Sequence, residues 1–523
     1  MKKIYILTLI TLFAAVGCKK SFLSQEVNPN IPSTASPQNV LSGVEESLTA
    51  YTDGNTYLYL GLWTGYFTPS GSFTPNTLAE TYNFTNTSFS RFGAYSQLAN
   101  LNYLIQQGAA DPTLANFAAI GKILTAYTYQ MLVDNYNDVP YTQALNSDKY
   151  LFPAYDKGQD IYNDLEKQLD AAIALINSSA SATNPTSSDI IFSGNMTNWK
   201  KFANTLKLRI AIRQSNLTAN FAGLKTEIAK TASEGYLDDV TFVTAQPGYI
   251  QSDANGGQQN PFYKNWGFTA AGAIRGAQSG DRANDFYVNF LVGLNDTLRL
   301  KQVYAPCNTL AEKAALAAGT IKALPTPPNN VDHIRGNILG SASTLQNNNY
   351  TSGIGPGLMG TATMPMYIIT GAEACFLLSE GVMDGLVTSG TTGVGTAQDY
   401  YQRGITASFV QLAVPGAATA AKTYYSQAAV SYPGTNYDAN LQAIITQKYI
   451  ALIGYGFFET YNEYRRTGYP NLDAARSKNP SALGTGPVPT RIFFPSTEFQ
   501  QNAAAVGAEP VVNVFTSKIF WAK

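Results

Sequence analysis

The chain has 523 residues, enough for a large core and for two or three domains or one domain with insertions. Its 34 basic residues against 35 acidic ones leave no field to gather nucleic acid or an anionic surface, and a single histidine excludes multi-histidine metal sites. Charged residues are only 13% of the chain, against about 25% in ordinary soluble domains, and 33 tyrosines, with many asparagines and glycines, take their place, a surface chemistry suited to neutral glycans and peptides.

The chain opens on MKKIYILTLITLFAAVG (1–17), two lysines followed by an apolar run too short to span a bilayer, which takes about 20 apolar residues. This is the layout of a secretory signal. It ends in AVGC, which resembles a bacterial lipobox, with Ala15 at the position most often held by leucine. Cys18 is therefore expected to become the lipidated first residue of the mature chain, and no later segment is long and apolar enough to be a second anchor.

Residues 51–96 are rich in aromatics and, from Thr68 onward, punctuated by Pro, Gly, Asn and Thr as loop. Helical periodicity then begins. TLANFAAIGKILTAYTYQMLVDNYNDVPY (113–141) is followed by a stretch with Ile161, Leu165, Leu169, Ala172, Ile173 and Ile176 on one face, by Trp199, Phe202, Leu206 and Ile210 at helical spacing, and by GLKTEIAKTASEG. A second block holds MPMYIITGAEACFLLSEGVM, AQDYYQRGITASFVQL and a last pair broken at Gly454 and Gly456, stopped by Gly468 and Pro470. The predicted fold is mainly α. Four helix pairs stack in the tetratricopeptide manner, without the strict repeat consensus, over about 113–235 and 364–470. Between them, residues 240–360 carry Gly, Asn and Pro with no sustained period, and a connection of that length is usually functional.

Most chemical motifs fail on context. His333 sits in the loop sequence PPNNVDHIRGN, where an exposed side chain is expected. GPGLMG (355–360) has no strand before it and no helix start after it. DANGG (253–257) lacks the later ligands of a calcium loop. Glu459 and Glu463 share a helical face and so suggest a glycosidase pair, but Arg465 and Arg466 beside them make a solvated or ion-paired face the better reading. The basic residues of WKKFANTLKLR are expected on the wet side of an amphipathic helix. Cys375 reads as core, Cys307 has no assigned role, and the spacing leaves open whether the two are bridged. No cofactor, catalytic residue or metal site is expected.

The positive expectation rests on the loop aromatics. A sugar ring packs its C–H patches on an aromatic face while amides and charged groups bond its hydroxyls. Trp63, Tyr66, Phe73 and Tyr82 in the early segment, and Tyr263, Trp266 and Phe268 in NPFYKNWGF, are the candidate platforms; Asn265, Asp281 and Arg282 are the candidate polar contacts. Trp63 and Trp266 are expected to line one concave site. Trp199 and Trp521 are assigned to structure.

Together, the lipobox, DNYNDVPYTQAL (134–145, with Asn137 where a Gly-Asp-Val-Pro-Tyr turn has glycine), WKKFANTLKLRIAIR (199–213), QKYIALIGYGFFETYNEYRRTGYP (447–470) and PTRIFFPSTEFQQN (489–502) resemble the SusD/RagB family of outer-membrane nutrient-binding lipoproteins of Bacteroidetes, most closely its second SusD-like subgroup. The resemblance implies a single domain over 18–523 and a ligand site in the irregular subregion. It implies a surface protein, lipid-anchored in the outer membrane, that captures an oligosaccharide or peptide and hands it to a SusC-like TonB-dependent transporter. Acyl chains on Cys18 would hold it in the membrane of that partner, at high effective concentration. A non-catalytic helix-repeat adaptor and a surface glycosidase are the alternatives from other classes.

Overall fold

The computed structural model describes residues 35–523 apart from 74–76, 220, 308, 322–332, 342–346, 391–392 and 435. Cys18 and the leader before it lie outside the described residues.

The periodic stretches are helices. The first block forms Ala115–Tyr136, Gly158–Ser178, Met196–Arg213 and Phe221–Ala229; the second forms Gly371–Met383, Ala397–Gln411, Tyr437–Ala451 and Phe457–Thr467. Ile161, Leu165, Leu169, Ala172, Ile173 and Ile176 are all buried, the outcome of apolar residues recurring every three or four positions. Ala115–Tyr136 is buried on almost every side and shows little periodicity, as a helix enclosed by others should. It packs against Ala94–Ala110 before it and Gly158–Ser178 after it, while Gly371–Met383 packs on Ala397–Gln411 and back onto Met196–Arg213. The expected break between the last pair is real: Gly454 stands at φ +85°, where a Cβ would lie 2.6 Å from Leu358. Gly468 closes the final helix in the left-handed conformation.

Three differences from the sequence reading matter. Ala94–Ala110 is a full helix, with Leu98, Leu101 and Leu104 buried, and Pro37–Leu48 is another. The MPMYII stretch is not helical throughout, since Met366–Ile369 is a strand paired antiparallel with Val243–Ala245. The basic residues of Met196–Arg213 do not face water. Lys207, Arg209 and Arg213 are buried, because carboxylates from four other helices meet them: Lys207 pairs with Asp170, Arg209 with Glu373, and Arg213 with Asp134, Glu459 and Glu463.

The irregular subregion is tied to its surroundings by short sheets. Phe67–Pro69 pairs antiparallel with Asp281–Ala283, Phe67 opposite Ala283 and Pro69 opposite Asp281. Ser70 Oγ donates to Asn348 at 2.6 Å, and Asn348 N donates to Ser72 Oγ at 3.2 Å. The early segment and residues 240–360 therefore converge, as expected. One apolar core runs from Leu41 to Trp521 through both helix blocks and this subregion. A smaller cluster forms around Leu208, Leu224 and Leu377.

Candidate ligand-binding cleft

The convergence buries most of the residues expected to bind ligand. Trp63 is 0% exposed. Its ring lies 5.0–6.0 Å from those of Tyr59, Tyr82, Phe84 and Phe89, and its indole N–H donates to the Ala79 carbonyl at 3.1 Å. Tyr66 stacks on Tyr449 and shares a hydrogen bond with Thr460 at 2.8 Å. The buried Tyr82 hydroxyl donates to the Pro487 carbonyl and accepts from the Ser477 N–H at 2.9 Å. Trp266, 1% exposed, covers Gly54, where a Cβ would lie 2.7 Å from the indole. Asp281 accepts the Trp266 indole N–H at 2.8 Å, and Arg282 donates to the Thr351 carbonyl. The sequence reading of these six residues is corrected accordingly: loop punctuation marks where the backbone turns, not what its side chains touch, and here the rings fill the space between the early segment and the second helix block. Trp63 and Trp266 belong to separate ring clusters and do not line one concave site.

Burial also sets the ionisation of the polar pair. It pushes the Asp281 carboxyl up to about 6, against the stabilising indole N–H, and pulls Arg282 down to about 10.

Four expected residues keep open surface. Phe73 is 52% exposed on a turn, and Tyr263, Asn265 and Phe268 are half-buried. Of these, Asn265 lines a cleft of about 510 Å³ between the end of the Pro37–Leu48 helix, with the turn after it, and residues 247–265.

The cleft is built locally. Asn260 caps the short helix Pro261–Trp266, its side chain accepting from the Tyr263 N–H at 3.0 Å, with Pro261 supplying a preset first helical residue. That helix points Lys264 and Asn265 to the cleft, and Asn265 donates to the Asp53 carbonyl at 3.4 Å. On the facing loop, Gln246 accepts from the N–H groups of Gly248 and Tyr249 at 3.1 and 3.0 Å, and Ile250 N donates to the Gln258 carbonyl at 2.9 Å. Behind it, Arg275 pairs with Asp253 and donates to Gln259 at 2.7 Å, while Gln259 donates to the Phe268 carbonyl at 3.0 Å. The loop is thus held from within.

Glu46, Asp53, Gln258, Lys264 and Asn265 give the cleft acceptors and donors of both charge types, with Tyr249, Ile250 and the two prolines as apolar patches. Burial raises the Asp53 carboxyl, and the Thr56 and Asn55 N–H groups oppose the rise. Tyr249 lines the cleft with its ring, while its hydroxyl is buried beside Thr49. Sequence reasoning missed Glu46, Asp53, Tyr249 and Lys264. For Tyr249 the signal was the Gln/Gly/Pro-rich QPGYIQSDANGGQQ (246–259) directly before NPFYKNWGF, of which only DANGG is weighed, as a calcium loop, although it lies in the expected binding subregion; Glu46 and Asp53 lie outside that stretch.

Glu459 and Glu463 lie elsewhere, inside the buried ion network. Burial pushes their carboxyls up, but Arg213 and Arg209 hold Glu459 below its ordinary value, and Arg466 and Lys448 hold Glu463 lower still. Cys307 and Cys375 are both buried and unbridged.

The architecture defines a class, a helical scaffold carrying a large loop-built subregion, and comparison with known proteins identifies it. Residues 29–495 match the SusD-like_2 family, described as "Starch-binding associating with outer membrane", and the chain belongs to that family. A solved chitin-binding protein is 25% identical over 93% of this chain and 99% of its own, with a TM-score of 0.71. A SusD homolog from Bacteroides uniformis ATCC 8492 is 22% identical, covering 92% and 99%, with a TM-score of 0.69. A SusD/RagB family protein from Bacteroides thetaiotaomicron VPI-5482 is 19% identical over 93% and 99%, with a TM-score of 0.70, a likeness of fold. No curated protein sequence matches the chain. No described helix is long and apolar enough to cross a membrane.

Proposed function

We propose that the protein is a non-catalytic, surface-exposed lipoprotein of the outer membrane, a single SusD-like domain over 18–523, that binds an oligosaccharide and delivers it to a SusC-like TonB-dependent transporter. The observation that carries the binding role is the cleft at Tyr249, Lys264 and Asn265, a concave surface that sets carboxylates, amides and an ammonium around apolar patches. The family's starch-binding description and the likeness to a chitin-binding protein favour a glycan. The anchor is the lipidated Cys18, which leaves the folded chain outside the bilayer. The enzyme reading loses its support because Glu459 and Glu463 are committed to buried guanidinium and ammonium groups.

A peptide is the second reading. Glu46, Asp53 and Lys264 on one cleft would meet the terminal and side-chain charges of a peptide as well as sugar hydroxyls. Calorimetric titration of the purified protein with maltohexaose, chitohexaose and a mixed pool of tryptic peptides separates them. Heat of binding with a hexasaccharide and none with peptides is expected; peptide binding alone would overturn the glycan assignment.

A further inference from the structure

A second concavity shares no residue with the first. Strand Asp281–Ala283 leads through Asn284 into the helix Asp285–Gly293, and Asn284 fixes the join: its side chain accepts from the Phe286 N–H at 2.9 Å and donates to the Phe67 carbonyl at 3.2 Å. One turn apart on this helix, Phe286 and Phe290 have ring centroids 5.8 Å apart and planes inclined by 36°. Each ring is half-buried, with one side on the core and the other on a cleft of about 400 Å³. Phe286 rests on Gly65, so closely that a Cβ on Gly65, itself at φ +82°, would lie 2.6 Å from the ring. Phe290 meets the Tyr449 ring edge-on at 5.4 Å.

The far wall is Ile338 and Leu339, and the rim is polar. Asn289 is exposed and donates to the Asp285 carboxylate at 2.9 Å, leaving its amide oxygen open, and Lys478 is exposed at the other edge. Two tilted aromatic faces floored by the core, with an amide, a carboxylate and an ammonium around them, supply both elements of sugar recognition: the negative face of a ring for polarised C–H groups, and donors and acceptors for hydroxyls.

We propose that this cleft is a second carbohydrate subsite, which seats a pyranose ring of a neutral oligosaccharide on Phe286 and Phe290 and bonds its hydroxyls through Asp285, Asn289 and Lys478. The proposal rests on the saccharide reading of the first cleft. The two clefts are mounted on one frame: Trp266, which covers Gly54 beside the first, is bonded to Asp281, and Asp281 begins the strand whose continuation carries Phe286. Two subsites on a fixed frame bind a chain long enough to reach both more tightly than either binds a short one.

The test is titration of the full-length protein in detergent with chitohexaose and maltohexaose. It compares wild type, Phe286→Ala/Phe290→Ala, the surface variants Asn289→Ala and Lys478→Ala, and Asn265→Ala from the first cleft. The expected result is a roughly tenfold loss of hexasaccharide affinity for the phenylalanine pair. A smaller loss is expected for Asn289→Ala and Lys478→Ala, whose exposed side chains leave thermal unfolding unchanged. Wild-type affinity in Asn289→Ala, in Lys478→Ala and in a folded phenylalanine variant, with loss in Asn265→Ala, would overturn the second subsite and leave the first cleft standing. Absence of binding by the wild type to either hexasaccharide would overturn both.

Discussion

The indole N–H of Trp266 donates to the carboxylate of Asp281 at 2.8 Å, and this bond fastens the short helix that flanks the cleft to the strand paired with Phe67–Pro69. Both partners are buried, so the bond is structural and its loss should be read in stability. Trp266→Ala is expected to destabilise the fold by about 3–5 kcal/mol, the usual cost of truncating a buried aromatic, and Trp63→Ala by a similar amount. Chemical unfolding of the two variants checks this. A change under about 1 kcal/mol would mean that the rings are not packed as described.

Asp281 adds a pH dependence. Burial holds its carboxyl at about 6 in the folded chain, whereas an unfolded Asp titrates near 3.9. An acid raised on folding binds its proton more tightly in the native state. Its ionisation therefore costs stability, nothing below about pH 4 and the full amount above about pH 6. Asp281→Asn keeps an oxygen for the indole N–H and removes the charge. It is expected to be more stable than wild type at pH 7.5, by up to about 3 kcal/mol at 1.36 kcal/mol per pKa unit, and to lose that advantage by pH 4. Melting temperatures across this range decide it.

Within the buried ion network, Glu463 carries the opposite sign, its carboxyl held low by Arg466 and Lys448. Glu463 pairs with Lys448 and Arg466, each at 2.6 Å, and all three side chains are almost wholly buried. Glu463→Ala strands Lys448 and leaves Arg466 with Glu380 alone, and a loss of about 3–5 kcal/mol is expected in unfolding experiments. Because the fold supplies these carboxylates with cations rather than with an open cleft, purified protein should not hydrolyse any polymer it binds. Hydrolysis abolished by Glu459→Gln would restore the glycosidase reading.

Lipidation is tested by fractionation. Cys18→Ala is expected to move the protein from the outer-membrane fraction to the soluble one, since acyl burial at about 0.8 kcal/mol per CH₂ is the strongest membrane attachment the sequence offers. Unchanged fractionation would contradict the anchor.

The helices were legible because burial on one face leaves a period in the sequence, as the Ile161–Ile176 series shows. The break at Gly454 and the stop at Gly468 were legible because glycine tolerates conformations other residues avoid. The fate of the loop aromatics was not. Trp63 sits against Phe84 and Phe89 because the chain between them folds back on itself, and Trp266 finds Asp281 fifteen residues on, relationships with no period to betray them. The same blindness hid the charged helix Met196–Arg213: Lys207 and Arg213 look solvated until Asp170, Asp134 and Glu459 arrive from helices distant in sequence. Of the candidate site, sequence alone reached Asn265. It missed Tyr249 and Asp53 because a cleft wall is assembled from segments about 200 residues apart.

The central claim is that the cleft between the turn at Asp53 and the loop at Tyr249 holds the ligand. It is tested most directly by titrating Tyr249→Ala/Asn265→Ala with the hexasaccharide that binds the wild type, alongside thermal unfolding of the same protein. Loss of a ring face and an amide is expected to weaken binding at least about tenfold with little change in melting temperature. Wild-type affinity in a folded double variant would contradict the assignment.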